Sequence, residues 1–209
     1  MNTFSRIRQK IYPLFFPLYR VVSSVKWKKY LRENKKIRLN IGAGDTFYPG
    51  WFWTDLATLD MTDRNQYLKL LGGRKINKIL CEHVLEHLDD DQVKKFAECA
   101  AEFGAEDICV RIAVPDGFHT NPDYIDKVKP FGSGKGAHDH KQLFNYKNLS
   151  AVFEKADFKA ELIEYWDEHG VFHTVYEDDD KGYVRRSAKN KSGDHNVYSS
   201  LIIDFYKSK

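Results

Sequence analysis

The chain has 209 residues, enough for one full α/β domain with an appendage but hardly for two independent cores. Apolar residues make up 42% and charged residues 30%, which excludes collagen-like, disulfide-scaffold and wholly disordered chains. The three cysteines, Cys81, Cys99 and Cys109, form no C-x-x-C pair and lie in apolar segments. We therefore expect free, buried thiols and a cytoplasmic protein.

The net charge of +3 is unevenly distributed along the chain. Residues 1–38 hold eleven Lys and Arg against a single acid, Glu33, so this segment carries +10 and the remainder −7. A basic arm on an acidic body suggests attachment to something anionic. The arm, residues 1–36, includes an apolar run at 11–25 that is too short and too interrupted to span a membrane. Two interpretations remain open: peripheral attachment to the anionic inner face of the cell membrane, or packing on the domain or on a second subunit.

From residue 37 onward, short apolar runs alternate with helical spacing, which predicts a sheet built from βαβ units. Helices are expected at 89–103 and 146–156. The predicted strands are 37–41, 51–55, 78–81, 108–114, 160–166 and 200–206. The polar stretch 167–197 is expected to hold a solvated acidic turn at 178–180.

Residues 117–144 contain four glycines, two prolines and no sustained period, which predicts a long loop. Because this loop leaves a central strand at the edge where α/β sheets bind ligands, we expect an acceptor-binding lid with glycine hinges. The residues expected to contact the acceptor are His119, Lys135, His138 and His140. A flexible, solvated loop is the alternative for each of these histidines.

The sequence Gly42-x-Gly44 directly follows the first predicted strand, as a nucleotide-type cofactor requires. Phe47 stands where a dinucleotide fingerprint has its third glycine, which counts against NAD and FAD. Asp55 ends the next strand, where a carboxylate can accept hydrogen bonds from two ribose hydroxyls. These residues favour an adenosine-containing ligand; a turn glycine pair with a helix-capping Asp is the alternative.

Four segments, 39–44, 49–55, 82–87 and 111–116, resemble in the same order the motifs of class I S-adenosylmethionine (SAM) dependent methyltransferases. The likeness covers roughly residues 37–207 and is greatest to a bacterial branch often encoded among surface-polysaccharide genes. It implies a methyltransferase domain at 37–209 with a Rossmann-like sheet, mostly parallel, with an antiparallel C-terminal strand and helices on both faces. It also implies SAM as the cofactor and a carbohydrate or other small acceptor.

Carried over residue by residue, the resemblance implies that Gly42 and Gly44 face the methionine end of SAM and that Asp55 binds its ribose. A strand-ending segment at 59–61 would frame the adenine, and residues 81–83 would line the sulfonium. The full set of implied cofactor contacts is Asn40, Gly42, Gly44, Asp55, Leu56, Asp60, Met61, Cys81, Glu82 and His83. Asn40 and Thr46 depart from the acid and the glycine that many members have at these positions.

Methylation of a sugar hydroxyl needs a base within hydrogen-bond reach, and our candidates are His83, His140 and Asp116, in that order. Two other functions remain open: an RNA methyltransferase, and a degenerate SAM-binding module that tethers a partner protein at the membrane. The −7 body makes nucleic acid an unexpected partner.

The segment from His83 to His87 also matches H-x-x-E-H, the inverted zinc-protease pattern. Because it directly follows a buried strand, we expect Glu86 and His87 to cap and pack the next loop instead. His138 and His140 lack a third ligand nearby in sequence, so no metal site is expected.

Overall fold

The computed structural model describes residues 14, 16–44, 46–191, 194–196 and 198–208. The described residues form one seven-stranded sheet with helices around it. The strands are β1 (Ile37–Ile41), β2 (Phe52–Thr54), β3 (Ile76–Glu82), β4 (Gly104–Pro115), β5 (Phe158–Trp166), β6 (Phe172–Thr174) and β7 (Ser200–Lys207). The helices are α1 (Phe16–Glu33), α2 (Arg64–Leu71), α3 (Asp90–Phe103), α4 (Pro122–Val128), α5 (Tyr146–Glu154) and α6 (Ala188–Lys191).

The strand order is β2-β1-β3-β4-β7-β5-β6. Neighbouring strands from β2 through β4 are parallel, whereas β7 runs antiparallel to both β4 and β5, and β6 runs antiparallel to β5. The predicted fold class, a mostly parallel Rossmann-like sheet with an antiparallel C-terminal strand, is confirmed. Strand β6 and helices α2, α4 and α6 were not predicted, and β4 begins four residues before the predicted strand 108–114.

Side-chain caps fix where the helices begin. Asp89 and Gln92 form a reciprocal capping box at α3, and Asn145 and Asn148 form another at α5. The Asp63 carboxylate accepts from the first backbone amides of α2, so the sequence did carry a start signal for this unpredicted helix.

One face of the sheet, here called the helical face, is covered by helices α2, α3 and α5 over the main apolar core. Its aromatic side chains stack in pairs. Phe153 lies 4.1 Å from Phe205 between ring centroids, and Tyr67 lies 5.2 Å from Phe103. This face holds most of the buried apolar surface of the described residues.

The opposite face is covered mainly by irregular backbone at 175–191, here called the strap, which ends in the four-residue α6. Tyr176 and Val184 of the strap pack in a small apolar cluster with Leu80 of β3. The acidic run predicted as a solvated turn at 178–180 is exposed, and one of its members, Asp179, also pairs with the buried Arg111 at 2.8 Å.

Helix α1 of the basic arm is attached to the domain by its second half. Trp27 and Tyr30 are buried in the main core, and the Trp27 ring lies 4.7 Å from that of Phe52. The packing therefore crosses the boundary that the sequence placed at residue 36. Residues 1–13 and 15 of the arm lie outside the described residues. Among the described helices, none combines the length and the apolar composition needed to cross a membrane.

The predicted loop at 117–144 contains α4 and a short 3₁₀ turn at 137–139. Two of the three glycines expected as hinges are closely packed: a Cβ on Gly134 would lie 2.5 Å from the Lys127 carbonyl oxygen, and one on Gly132 would lie 2.6 Å from that of Asp126, whereas Gly136 has a φ of +94°. These glycines permit close backbone packing. The Tyr124 hydroxyl donates to the Ser199 carbonyl and ties the loop to the residues before β7.

Candidate active site at the carboxyl ends of the parallel strands

Four chain segments that are distant in sequence end at the same edge of the sheet. Gly42 follows β1, Asp55 follows β2, His83 follows β3 and Asp116 follows β4. Strand register aligns these ends, since Ile41 pairs with both Thr54 and Cys81, and Glu82 pairs with Ala113. The site residues predicted at strand ends therefore lie along one edge, where open α/β sheets bind ligands.

The glycine turn after β1 uses its two glycines differently. Both have a positive φ, +66° at Gly42 and +53° at Gly44. A Cβ on Gly42 would lie 2.3 Å from Val84 Cγ2, whereas none of the residues that the structure describes lies within 4 Å of a Cβ on Gly44. Gly42 therefore allows the turn to pack against the segment after β3, and Gly44 leaves its side open to a ligand.

Two buried polar groups beside this turn have no hydrogen-bond partner among the described residues, Thr46 Oγ1 and Tyr48 Oη. Burial, reinforced by the nearby charge of Glu82, raises the pKa of Tyr48 to about 12. The Asn40 side chain donates to the Thr46 carbonyl at 3.3 Å and so holds the turn from below. Unpaired buried polar atoms are costly, so a ligand that satisfied them would gain affinity.

Asp55 is partly exposed, and its carboxylate is only partly engaged. Oδ1 accepts from the Leu56 amide at 2.7 Å, and among the described residues Oδ2 accepts no hydrogen bond. The Leu56 side chain beside it is 58% exposed. This free carboxylate oxygen and exposed apolar side chain are available to a bound molecule.

Residues 59–61 lie in the connection between β2 and α2. The prediction that they end a strand is therefore wrong. Asp60 Oδ1 accepts from the amide and hydroxyl of Thr62, and Met61 is buried. These two hydrogen bonds from Thr62 to Asp60 stabilise a local turn, and a turn is incompatible with extended strand backbone.

Two of the predicted sulfonium-lining residues are engaged in the fold. The Cys81 side chain is fully buried in the main core, and burial raises its pKa well above the usual range. Glu82 accepts from the Arg186 amide at 2.8 Å and lies 3.4 Å from Arg185 Nε, so it holds the strap. Alternation along β3 directs the Cys81 side chain to the helical face, so only its backbone is left to line the predicted site.

His83 has a backbone φ of +54°, an uncommon conformation for a residue with a Cβ. Its amide donates to the Ala113 carbonyl at 2.7 Å, which fixes this strained position at the end of β3. The ring lies between polar groups: Nε2 is 3.0 Å from Ser200 Oγ and 3.3 Å from Tyr198 Oη, and Nδ1 is 3.2 Å from Glu86 Oε1. A histidine oriented by a carboxylate is the arrangement expected of a general base.

Asp116 does not have the free carboxylate expected of a base. It is fully buried, and its two oxygens accept from the amides of Phe118 at 2.9 Å and Trp166 at 2.7 Å. Burial raises its pKa to about 6. These bonds join the end of β4 to the end of β5, so the structure corrects the prediction of a catalytic Asp116 to a positioning role in the fold.

The residues predicted to contact the acceptor divide into two groups. His138 and Lys135 are exposed, whereas His119 and His140 are buried. The His119 ring accepts from the Asn121 amide, contacts the His195 carbonyl and stacks on Tyr124, so both of its nitrogens already have partners within the fold. His140 Nδ1 bonds the Val128 carbonyl at 2.7 Å.

His140 also meets Glu86 and His87, which the sequence analysis expected to pack the next loop. The Glu86 carbonyl accepts from the amides of Lys141 and Gln142, so that packing is present. Burial raises the pKa of the Glu86 carboxyl, but contact with His83 and the charges of His83 and His87 outweigh it and leave the pKa lowered. Sequence reasoning missed this cluster, since His140 lies far along the chain from Glu86.

No family model matches the sequence, and no curated protein matches it. Similar solved structures include a SAM-dependent methyltransferase from Archaeoglobus fulgidus, 14% identical, with a TM-score of 0.45 over 100% of both chains. Another, from Clostridium acetobutylicum, is 9% identical, with a TM-score of 0.48 over 100% of both chains. An O-methyltransferase family protein from Burkholderia thailandensis is 9% identical, with a TM-score of 0.48 over 98% of this chain and 60% of the other. At these identities the likeness is one of fold.

Proposed function

We propose that the protein is a SAM-dependent methyltransferase that O-methylates a sugar or another small or glycan acceptor. The observation that carries the proposal is the convergence of the glycine turn, Asp55 and His83 at one edge of the sheet. The motif resemblance over residues 37–207 supports the same cofactor.

The residues at this edge fit SAM in kind. Gly44 leaves open space for close approach of a ligand to the backbone, and Asp55 has a carboxylate oxygen free for ribose hydroxyls. The unpaired Thr46 hydroxyl and Tyr48 hydroxyl offer further polar contacts beside the turn. Asn40 is neutral, so it can hydrogen-bond the cofactor's ammonium but provides no charge pairing.

SAM, when bound, supplies an activated methyl group on a sulfonium. The protein's part is then to hold the acceptor hydroxyl in line in a water-poor site and to take its proton. His83 is the base we propose, because it ends β3 at the same edge and its ring is oriented by Glu86. The anionic Glu86 would stabilise the imidazolium that forms.

A carbohydrate acceptor is the finer part of the proposal and rests on the resemblance to the branch found among surface-polysaccharide genes. The −7 charge of residues 39–209 favours a neutral acceptor over nucleic acid. A methyl-transfer assay with glycans and RNA as acceptors separates this function from an RNA methyltransferase. SAM binding without transfer to any acceptor would indicate a degenerate binding module.

The cofactor assignment is tested by Asp55→Ala. Loss of charge-assisted hydrogen bonds to the ribose should weaken SAM binding by roughly 2 to 4 kcal/mol. Calorimetry measures the affinity, with Asp91→Ala, an exposed carboxylate on α3, as the control that should bind normally. Equal affinity in wild type and Asp55→Ala would refute the assignment, as would tight NAD binding.

The role of His83 as the base is tested separately. His83→Gln should lower turnover and leave SAM affinity nearly unchanged.

We further propose that the cytoplasmic protein attaches peripherally to an anionic membrane through the arm. Helix α1 exposes Leu18, Val21 and Val25 at 60%, 63% and 65%. Residues 1–38, which include the arm, carry a net charge of +10, and this positive charge attracts anionic lipid. Trp27 docks the second half of the helix on the domain, so the exposed half has a defined orientation.

Membrane attachment through the arm is tested by sedimentation of the protein with vesicles that contain phosphatidylserine. Removing residues 1–35 would also delete Trp27 and Tyr30 from the core, so point substitutions are the sharper tool. Val21→Asp and Val25→Asp together should reduce binding, whereas Val175→Asp, at an equally exposed valine on the strap, should not. If all these variants sediment like wild type, the apolar side of α1 serves another contact.

A further inference from the structure

We propose that Glu86, His87 and His140 form a binding site for a transition-metal dication of the zinc type, beyond the methyl-transfer function proposed above. Each residue offers one ligand atom, and the three atoms lie within 4.8 Å of one another. Two imidazoles and a carboxylate are a donor set that suits zinc.

The buried Glu86 carboxylate is the ligand that a bound cation would stabilise most. Its side chain is 1% exposed, and neither oxygen has an aligned hydrogen-bond donor among the described residues. His83 Nδ1 lies 3.2 Å from Oε1, near enough to orient the ring, but the contact lacks the alignment of a hydrogen bond and leaves Oε2 without a donor among the described residues. A buried carboxylate without donors is costly, and a cation bound there would remove that cost.

His140 presents a lone pair toward this carboxylate. Its Nδ1 lies 2.7 Å from the Val128 carbonyl, which can only accept, so Nδ1 carries a proton. In the neutral ring, Nε2 is then an acceptor, and it faces Glu86 Oε1 across 4.0 Å. Two acceptors facing each other are unfavourable, and a cation between them would relieve the contact. The bond from Nδ1 to a carbonyl is the outer-shell contact that typically orients a metal-bound histidine.

His87 completes the set from the exposed side. Its ring lies 4.7 Å from that of His140, and its buried Nδ1 has no hydrogen bond within the described part of the chain, although Asp139 Oδ1 is 3.1 Å away. The side chain is 33% exposed, which gives an ion access from solvent. Ligands of a tetrahedral zinc are about 3.3 Å apart for metal–ligand bonds of about 2.0 Å, so small rotations would close the site.

The bound ion would join the 3₁₀ turn that contains Glu86 and His87 to the segment that contains His140. Glu86 also lies against His83, so the ion would hold the carboxylate that orients the proposed base. The site does not depend on methyl transfer, and metal binding can be measured without it.

The test is zinc titration of untagged, chelator-treated full-length protein by calorimetry. We expect one zinc ion per chain, little affinity for magnesium, and affinity weakened at least about tenfold in Glu86→Gln and His140→Gln. His138→Asn, two residues from His140 but exposed, is the matched control and should bind like wild type. Cobalt substitution gives a second measurement, an absorption spectrum of the tetrahedral type in wild type and the control only.

His87→Asn is the deciding variant, because a partly exposed position should tolerate the change without unfolding. Loss of zinc binding in His87→Asn with a normal circular dichroism spectrum supports the site. Absence of stoichiometric binding in wild type would overturn it. So would equal losses in His87→Asn and His138→Asn, which would indicate scattered surface histidines.

Discussion

The two faces of the sheet are held to their coverings by different forces. On the helical face, apolar side chains such as Phe153 and Phe205 interdigitate with regular helices. On the strap face, the same strands present charged side chains: Arg111 is 1% exposed and pairs with Asp204, which is fully buried. The helical face gains from removing apolar area from water, whereas the strap face gains from satisfied polar pairs.

The difference follows from what each covering must satisfy. A helix satisfies its own backbone groups, whereas the irregular strap has amides and carbonyls that need partners. Charged side chains at the sheet supply them. The pairs are Arg111 with the Gly182 carbonyl, Lys78 with the Asp180 carbonyl, Glu82 with the Arg186 amide and Glu164 with the Ala188 amide. Polar and charged side chains of the sheet thus make the hydrogen bonds to the strap backbone that a helix would make within itself.

Among substitutions on the strap face, Asp204→Ala should lower the free energy of unfolding the most. Arg111 would lose its two bonds to this carboxylate, of 2.7 and 2.9 Å, and retain Asp179 as its carboxylate partner. Leaving a buried charge partly uncompensated should cost about 3 to 5 kcal/mol of unfolding free energy, measured by urea denaturation.

The control is Arg64→Ala, which removes an exposed, bidentate pair with Glu102. Its cost should stay below about 1 kcal/mol. Similar losses in the two variants would contradict the distinction between buried and exposed charge.

Glu164 should make the strap face sensitive to pH. Burial raises its pKa to about 7, so the folded state binds a proton that the unfolded state, titrating near 4.5, has released. Stability should therefore fall as the pH rises from about 4.5 to about 7, by roughly 3 kcal/mol, and then level off. Denaturation at a series of pH values measures the slope.

Glu164→Gln should remove the contribution of this residue to the slope, because a glutamine side chain does not titrate. The fold should be kept, since the amide oxygen can still accept from the amides of Ala188 and Ser200. A decline of similar size below about pH 6 should remain, since burial also raises the pKa of Asp116 to about 6. A slope unchanged by the substitution would assign the pH dependence to other groups.

Asp180→Asn should have the smallest effect. Its carboxylate lies 2.5 Å from Lys78 Nζ but is 70% exposed, so water and salt screen the pair. The Asp180 carbonyl keeps its bond to Lys78. We expect a loss below about 1 kcal/mol that disappears at about 1 M salt. A loss comparable to that in Asp204→Ala would mean that exposed and buried parts of the strap act as one network.

Much of the fold was predictable because its signals are local. Short apolar runs identified the strands 37–41 and 200–206, and the helical spacing of apolar residues identified the helices that begin at 90 and 146. Helix α2 was missed although Asp63 caps it, because its eight residues give little periodicity to detect. Strand β6 has three residues, too few for any pattern.

The sequence by itself determined which residues reach the ligand-binding edge. Parallel strands share a direction, so Gly42, Asp55 and His83 had to end together once the strands were assigned. Tertiary structure alone decided which side chains remained free there. It engaged Asp116 with backbone amides and brought His140 to Glu86. Buried polar groups take their partners from segments far away in the chain, and the spacing of residues along a sequence carries no record of those partners.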